Sequence, residues 1–140
     1  MSDLDFKVLS FLFENKKPLK ISQISESINV KHSTVGSCVK RLMERGLVDY
    51  KPFHEVKLTD NGKELAIELE RHAHLLELFL HKELGLTPQE ALKESKKINL
   101  LLSCKIINKI CEKYGHPKKC SCGIEIYKVP RCTCGNKDSE

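Results

Sequence analysis

A chain of 140 residues can form one sizeable domain or two small ones. Its 24 basic and 19 acidic residues leave a net charge of +5 spread over both halves, which permits a nucleic-acid partner without requiring one. No signal peptide and no run of 18 apolar residues is present, so the chain is read as cytoplasmic, with no membrane partner.

Seven cysteines, an odd number, read in a reducing compartment as thiols or metal ligands rather than structural disulfides. No nucleophile–base pair, phosphate loop or open metal site with a general base is visible, so an enzyme is not expected.

Residues 3–14 are predicted helical, with a broad apolar face from Leu4 to Phe13, and Lys16-Lys17-Pro18 ends the run. Leu19-Lys20 is an extended link with Leu19 turned inward. Ser22 is placed to cap a short helix through Ile28, and Asn29 suits the left-handed residue that closes it. Ser33 is placed to cap the next helix, which Gly46 ends. On it Val35, Cys38, Val39 and Leu42 recur at helical spacing as a narrow apolar stripe. The other face carries Thr34, Ser37, Lys40, Arg41 and Arg45. Short polar groups that reach base edges, followed by cations that reach phosphates, are what a major-groove helix needs.

Two alternating segments, 47–50 and 54–58, are joined by Lys51-Pro52-Phe53 and form a hairpin wing. Helix, short helix, tight turn, helix and wing make a winged helix-turn-helix over residues 1–62. Its DNA-binding candidates are Lys31, His32, Ser33, Thr34, Ser37, Lys40, Arg41, Arg45 and Lys51.

Thr59 caps a long helix from about Asp60 to Leu84 with Leu65, Leu69, Ala73, Leu76 and Leu80 along its buried stripe. Thr87-Pro88-Gln89-Glu90 is a capping box opening a helix to about Leu101, and a last helix runs from Ser103 to about Tyr114. Residues 63–117 thus form a helical dimerisation domain, and the fold class is mainly α.

Residues 118–140 form a Cys-rich tail. Cys120-Ser-Cys122-Gly and Cys132-Thr-Cys134-Gly bring four thiolates to two tight turns, which suits tetrahedral Zn²⁺ or, alternatively, an iron–sulfur cluster. Cys104, Cys111 and His116 are further candidate ligands. His72, His74 and His81 are expected to be exposed or interfacial, and Cys38 a packing residue.

The segment Arg71-His72-Ala73-His74-Leu75-Leu76-Glu77-Leu78-Phe79-Leu80, followed by Leu84-Gly85-Leu86 and by Gly115-His116-Pro117-Lys118-Lys119-Cys120, resembles the diphtheria-toxin-repressor/manganese-regulator (DtxR/MntR) family over about residues 3–122. The resemblance implies a dimeric repressor that binds double-stranded operator DNA and answers to Fe(II) or Mn(II). It also implies regulatory-metal ligands at Ala73, Lys96, Asn99 and Leu100, where this chain has none. The expectation is a DNA-binding regulator without the classical Fe(II)/Mn(II) site and with metal at the C-terminal cysteines. The alternative is a winged-helix protein-interaction module with a zinc-stabilised docking tail.

Overall fold

The computed structural model describes residues 2–120, 123, 125 and 126, and these divide into two compact units that meet between Ala66 and Ile67. In chain order come α1 (Asp3–Asn15), α2 (Ile21–Ile28), α3 (His32–Glu44), β1 (Val48–Asp49), β2 (Lys57–Leu58), α4 (Asp60–Leu84), α5 (Pro88–Ile98) and α6 (Cys104–Lys113). The mainly α winged helix-turn-helix followed by a helical region matches the expected class.

The first unit packs α1, α2 and α3 around Val8, Leu9, Ile24, Val35, Val39 and Leu42, with the hairpin closing the core through Val48 and Val56. The hairpin is antiparallel, Val48 opposite Leu58 and Asp49 opposite Lys57. Its strands are shorter than the alternation suggests, because part of the edge is supplied by the inter-helix link. Leu19 and Val56 exchange both backbone hydrogen bonds, at 3.0 and 2.7 Å, and Leu19 is buried as expected.

Two predicted caps move. The N-cap of α2 is Lys20, not Ser22, because the Gln23 side chain accepts from the Lys20 N–H at 2.8 Å. The N-cap of α3 is Lys31, not Ser33; the Lys31 carbonyl already accepts from Val35, so Ser33 lies inside the first turn. Asn29 and Gly46 do adopt the left-handed conformation, at φ 55° and 73°.

The N-terminus of α1 carries an unforeseen anchor. The Ser2 hydroxyl accepts from the Asp5 N–H, and the Asp5 carboxylate accepts from the Ser2 N–H at 3.1 Å, a reciprocal capping box. The same buried carboxylate accepts from the Cys38 thiol at 3.0 Å and from the Arg41 guanidinium at 3.3 Å, which ties α1 to α3. Burial alone would raise the Asp5 pKa, but these donors together hold it below its ordinary 3.8. Burial and the neighbouring Asp5 push the Cys38 thiol up to about 12, so Cys38 is a packed thiol, as its place on the stripe suggests.

In the second unit, Leu75 and Leu76 of α4 pack with Ile107, Ile110 and Cys111 of α6, and Cys120 and Ile126 join this core. The Tyr114 hydroxyl, past the end of α6, donates to Glu83 at 2.6 Å, and Lys113 pairs with the same carboxylate at 3.3 Å. Thr87 caps α5 by accepting from the Glu90 N–H. That helix stops at Ile98 rather than Leu101, because the Asn99 side chain turns inward and donates to the Leu69 carbonyl at 3.1 Å. On α4 every position from Leu69 to Leu78 is buried, including His72 and His74, which were expected to be exposed or interfacial.

The packing makes two testable demands. Gly62 in the first turn of α4 lies so close to the Leu47 carbonyl that an added Cβ would fall on it. Gly62→Ala should lower stability by about 1–3 kcal/mol in a denaturant melt. Asp5 is favoured as a carboxylate in the folded state, so its contribution is complete above its ordinary pKa and is lost as pH falls through the lowered folded value. The stability difference between wild type and Asp5→Asn should therefore be clear at pH 7 and shrink in strong acid.

Candidate nucleic-acid interface and metal centre

The apolar stripe of α3 is fully buried at Val35, Cys38, Val39 and Leu42, which fixes the orientation of its opposite face. On that face Lys31, His32, Ser33, Thr34, Ser37, Lys40, Arg41 and Arg45 are all exposed, and Lys51 is exposed at the base of the wing tip. Small hydroxyl residues occupy the first turns and cations the last, as a groove-reading helix requires.

The Ser37 hydroxyl donates to the Ser33 carbonyl at 3.1 Å, which directs its lone pairs outward. Arg41 is partly committed to Asp5, whereas among the described residues no acid pairs with Lys40 or Arg45. The wing turns through Phe53, at φ 66° and 99 % exposed, and the His54 N–H donates to the Lys51 carbonyl at 2.9 Å.

The cysteines of the second unit fall into three different settings. Cys120 is buried beside His74 and Glu77 of α4, and one ligand atom from each of the three lies within 4.8 Å of the others. Cys104, the first residue of α6, lies against Glu68 and His72 under the same limit. Cys111 faces His116, Sγ to Nδ1 3.5 Å. Cys122, Cys132 and Cys134 lie outside the described residues.

The set at Cys120 fits a divalent metal by its chemistry. It offers one thiol, one imidazole and one carboxylate, the mixture that suits zinc or ferrous iron. His74 Nε2 faces the Glu70 carboxylate at 3.4 Å, while its Nδ1 is buried without a hydrogen-bond partner among the described residues. A carboxylate behind the remote ring nitrogen is the usual way to orient a ligating histidine.

The positions at which the family resemblance implies ligands fit no metal. Ala73 is buried and has no donor, and the Asn99 amide is spent on the Leu69 carbonyl. Lys96 and Leu100 are half-buried and bring a cation and a hydrocarbon. Asp5, another acid in the N-terminal stretch, is already occupied by three donors of its own unit.

Sequence reasoning found the cysteines but not their partners on α4. The signal was present as spacing: Glu68 and His72, and Glu70 and His74, are each four residues apart on one helix. Their burial hid them, since a histidine in a polar stretch reads as a surface residue by default.

Comparison with known proteins identifies the family. Residues 7–56 match the N-terminal DNA-binding domain of the iron dependent repressors, and residues 59–128 match their metal binding and dimerisation domain. An HTH-type transcriptional regulator of Methanocaldococcus jannaschii, MJ0568, is 30 % identical over 104 residues, 74 % of this chain and 83 % of that protein. The crystal structure of the hypothetical protein SSo2273 from Sulfolobus solfataricus is 28 % identical with a TM-score of 0.78, covering 91 % of this chain and all of that one. A manganese-dependent transcriptional repressor in complex with manganese is 26 % identical with a TM-score of 0.74, covering 90 % of this chain and 63 % of that one. With a winged helix that presents a polar and cationic face, and both domain models matched, this chain belongs to the DtxR/MntR family of metal-dependent transcriptional repressors and is not an enzyme.

Proposed function

We propose that the chain is a dimeric repressor that grips operator DNA with α3 and the wing, and that holds Zn²⁺ at Cys120. The observation that carries the DNA reading is the division of α3. Its apolar stripe is sealed in the core, and the residues left outside are hydroxyls and cations in groove-reading order. Residues 1–62 do the reading. Residues 63–117 carry dimerisation, supported by the exposed apolar side chains Ile98, Leu101 and Ile106.

In this reading His74 and Glu77 hold the ion together with the Cys120 thiolate, and a single thiol of the Cys-rich tail supplies the fourth donor. The donors present favour zinc over an iron–sulfur cluster, because a cluster is held by thiolates and this site already contains a carboxylate and an imidazole. Bound zinc supplies positive charge that neutralises buried carboxylates. The chain's own residues do the rest: Glu70 orients His74, and the thiols give up their protons on loading. Because Cys120 is packed with Leu75, Leu76 and Ile107, the state of this site bears on the core of the second unit. The family's Mn(II)/Fe(II) positions play no part.

Operator titrations test both halves. Lys40→Ala with Arg45→Ala should weaken binding and flatten the dependence of log affinity on log salt, by roughly one unit for each phosphate the variant no longer touches. Unchanged affinity would remove α3 from the interface. Cys120→Ser with Cys122→Ser should lose zinc, and wild-type zinc affinity should fall with decreasing pH, because binding needs deprotonated thiols. A variant that retains full zinc content, measured by elemental analysis, would refute the Cys120 site.

A further inference from the structure

The second cluster on α4 belongs to neither the family's ligand positions nor the Cys-rich tail. Glu68 and His72 are four residues apart and project from one face of α4. Cys104 meets them from the first turn of α6, next to its N-cap Ser103. The Cys104 thiol donates to Glu68 Oε1 at 3.1 Å, and its sulfur lies 3.6 Å from His72 Nε2. His72 is 4 % exposed, whereas Glu68 and Cys104 are half-exposed.

We propose that Glu68, His72 and Cys104 form a second metal site, for Zn²⁺ or a similar borderline-soft divalent ion, with one coordination position open to solvent. The distances suit it. A tetrahedral ion with ligand bonds of roughly 2.0–2.3 Å keeps its donors about 3.3–3.7 Å apart. The two separations from Cys104 Sγ are 3.1 and 3.6 Å, within a few tenths of an ångström of that range, and all three ligand atoms lie within 4.8 Å of one another.

The donor chemistry selects the ion class. A thiolate, an imidazole and a single carboxylate are a poor set for Mg²⁺ or Ca²⁺, which take oxygen. Cys104 sits at the N-terminus of α6 with its thiol on the Glu68 carboxylate. On binding, the Cys104 S–H bond breaks, its proton passes to solvent and the sulfur lone pair is donated to the metal, with no change of oxidation state. The neutral imidazole of His72 is the ligating form.

Among the described residues three protein donors meet here, and two of them are open to water. Structural zinc sites close all four positions, while three-ligand sites keep a water or an exchangeable ligand. His72 and His74 are two residues apart, a rotation of about 200°, so this site and the one at Cys120 use opposite faces of α4. The exchangeable ion would be the one at Cys104.

The test is titration of metal-free full-length chain with Co²⁺, read by the absorption of thiolate-to-cobalt charge transfer, without DNA. The background carries Cys120→Ser, Cys122→Ser, Cys132→Ser and Cys134→Ser, which disables the first site. That background should still bind one Co²⁺ per chain with the charge-transfer band of a single thiolate. Adding Cys104→Ser should abolish the band, and Glu68→Gln should weaken Co²⁺ binding at least tenfold while leaving the band. A background that is folded by circular dichroism but shows no band, or a band that survives Cys104→Ser, would overturn the proposal. If the background does not fold, the single Cys104→Ser change in the otherwise wild-type chain decides: it should lower bound Co²⁺ by one equivalent, and an unchanged count would overturn the proposal.

Discussion

Everything in the second unit depends on the burial of charged and imidazole groups along α4. Ten consecutive residues, Leu69 to Leu78, are buried, and they include Glu70, Arg71, His72, His74 and Glu77. Removing such groups from water costs several kcal/mol each unless hydrogen bonds or opposite charge replace the lost hydration. Arg71 is 1 % exposed and reaches Asn108 on α6, and Glu70 answers His74. A helix core of this composition is a poor scaffold by hydrophobic standards and a good one for ions. Its polar atoms converge on Cys104 on one face and on Cys120 on another, where coordination can replace water.

The first unit solves a different problem. A groove-reading helix must be held firmly while its outer face stays bare. The apolar stripe of α3 supplies most of the grip, and Asp5 adds a polar lock from the first turn of α1 through Cys38 and Arg41. Arg41 thereby serves two masters: about half its side chain is exposed towards the interface while its guanidinium holds Asp5. The structural half of that role explains why Lys40 and Arg45 are the cleaner probes of phosphate binding.

Most of the fold was legible in the sequence because its signals were local. Periodicity placed every helix, Asn29 and Gly46 marked the ends of two of them, and Thr59 and Thr87 began two others as expected. The misplaced caps at Ser22 and Ser33 were errors of a few residues, made because side-chain capping was assumed where backbone carbonyls and a glutamine sufficed. The early stop of α5 was hidden because its cause, the bond from Asn99 to Leu69, spans thirty positions. The sites were only half legible for the same reason. Cysteine spacing pointed to metal within the tail, but the meeting of Cys120 with His74 and of Cys104 with His72 is made by tertiary packing, which no window of sequence contains.

The Asn99 hydrogen bond separates two joints of the second unit by their chemistry. In the joint of α5 to α4, a neutral amide on a main-chain carbonyl, which neither protons nor ions can titrate, stands beside a hydrogen bond between the His72 ring and the Asn99 backbone. The joint of α6 to α4 combines apolar packing with a thiol, an imidazole and a carboxylate, and those three can be titrated or coordinated. Amide hydrogen exchange would therefore be graded: when the metal or pH changes, protection along α6, which contributes the thiol, should change more than that along α5.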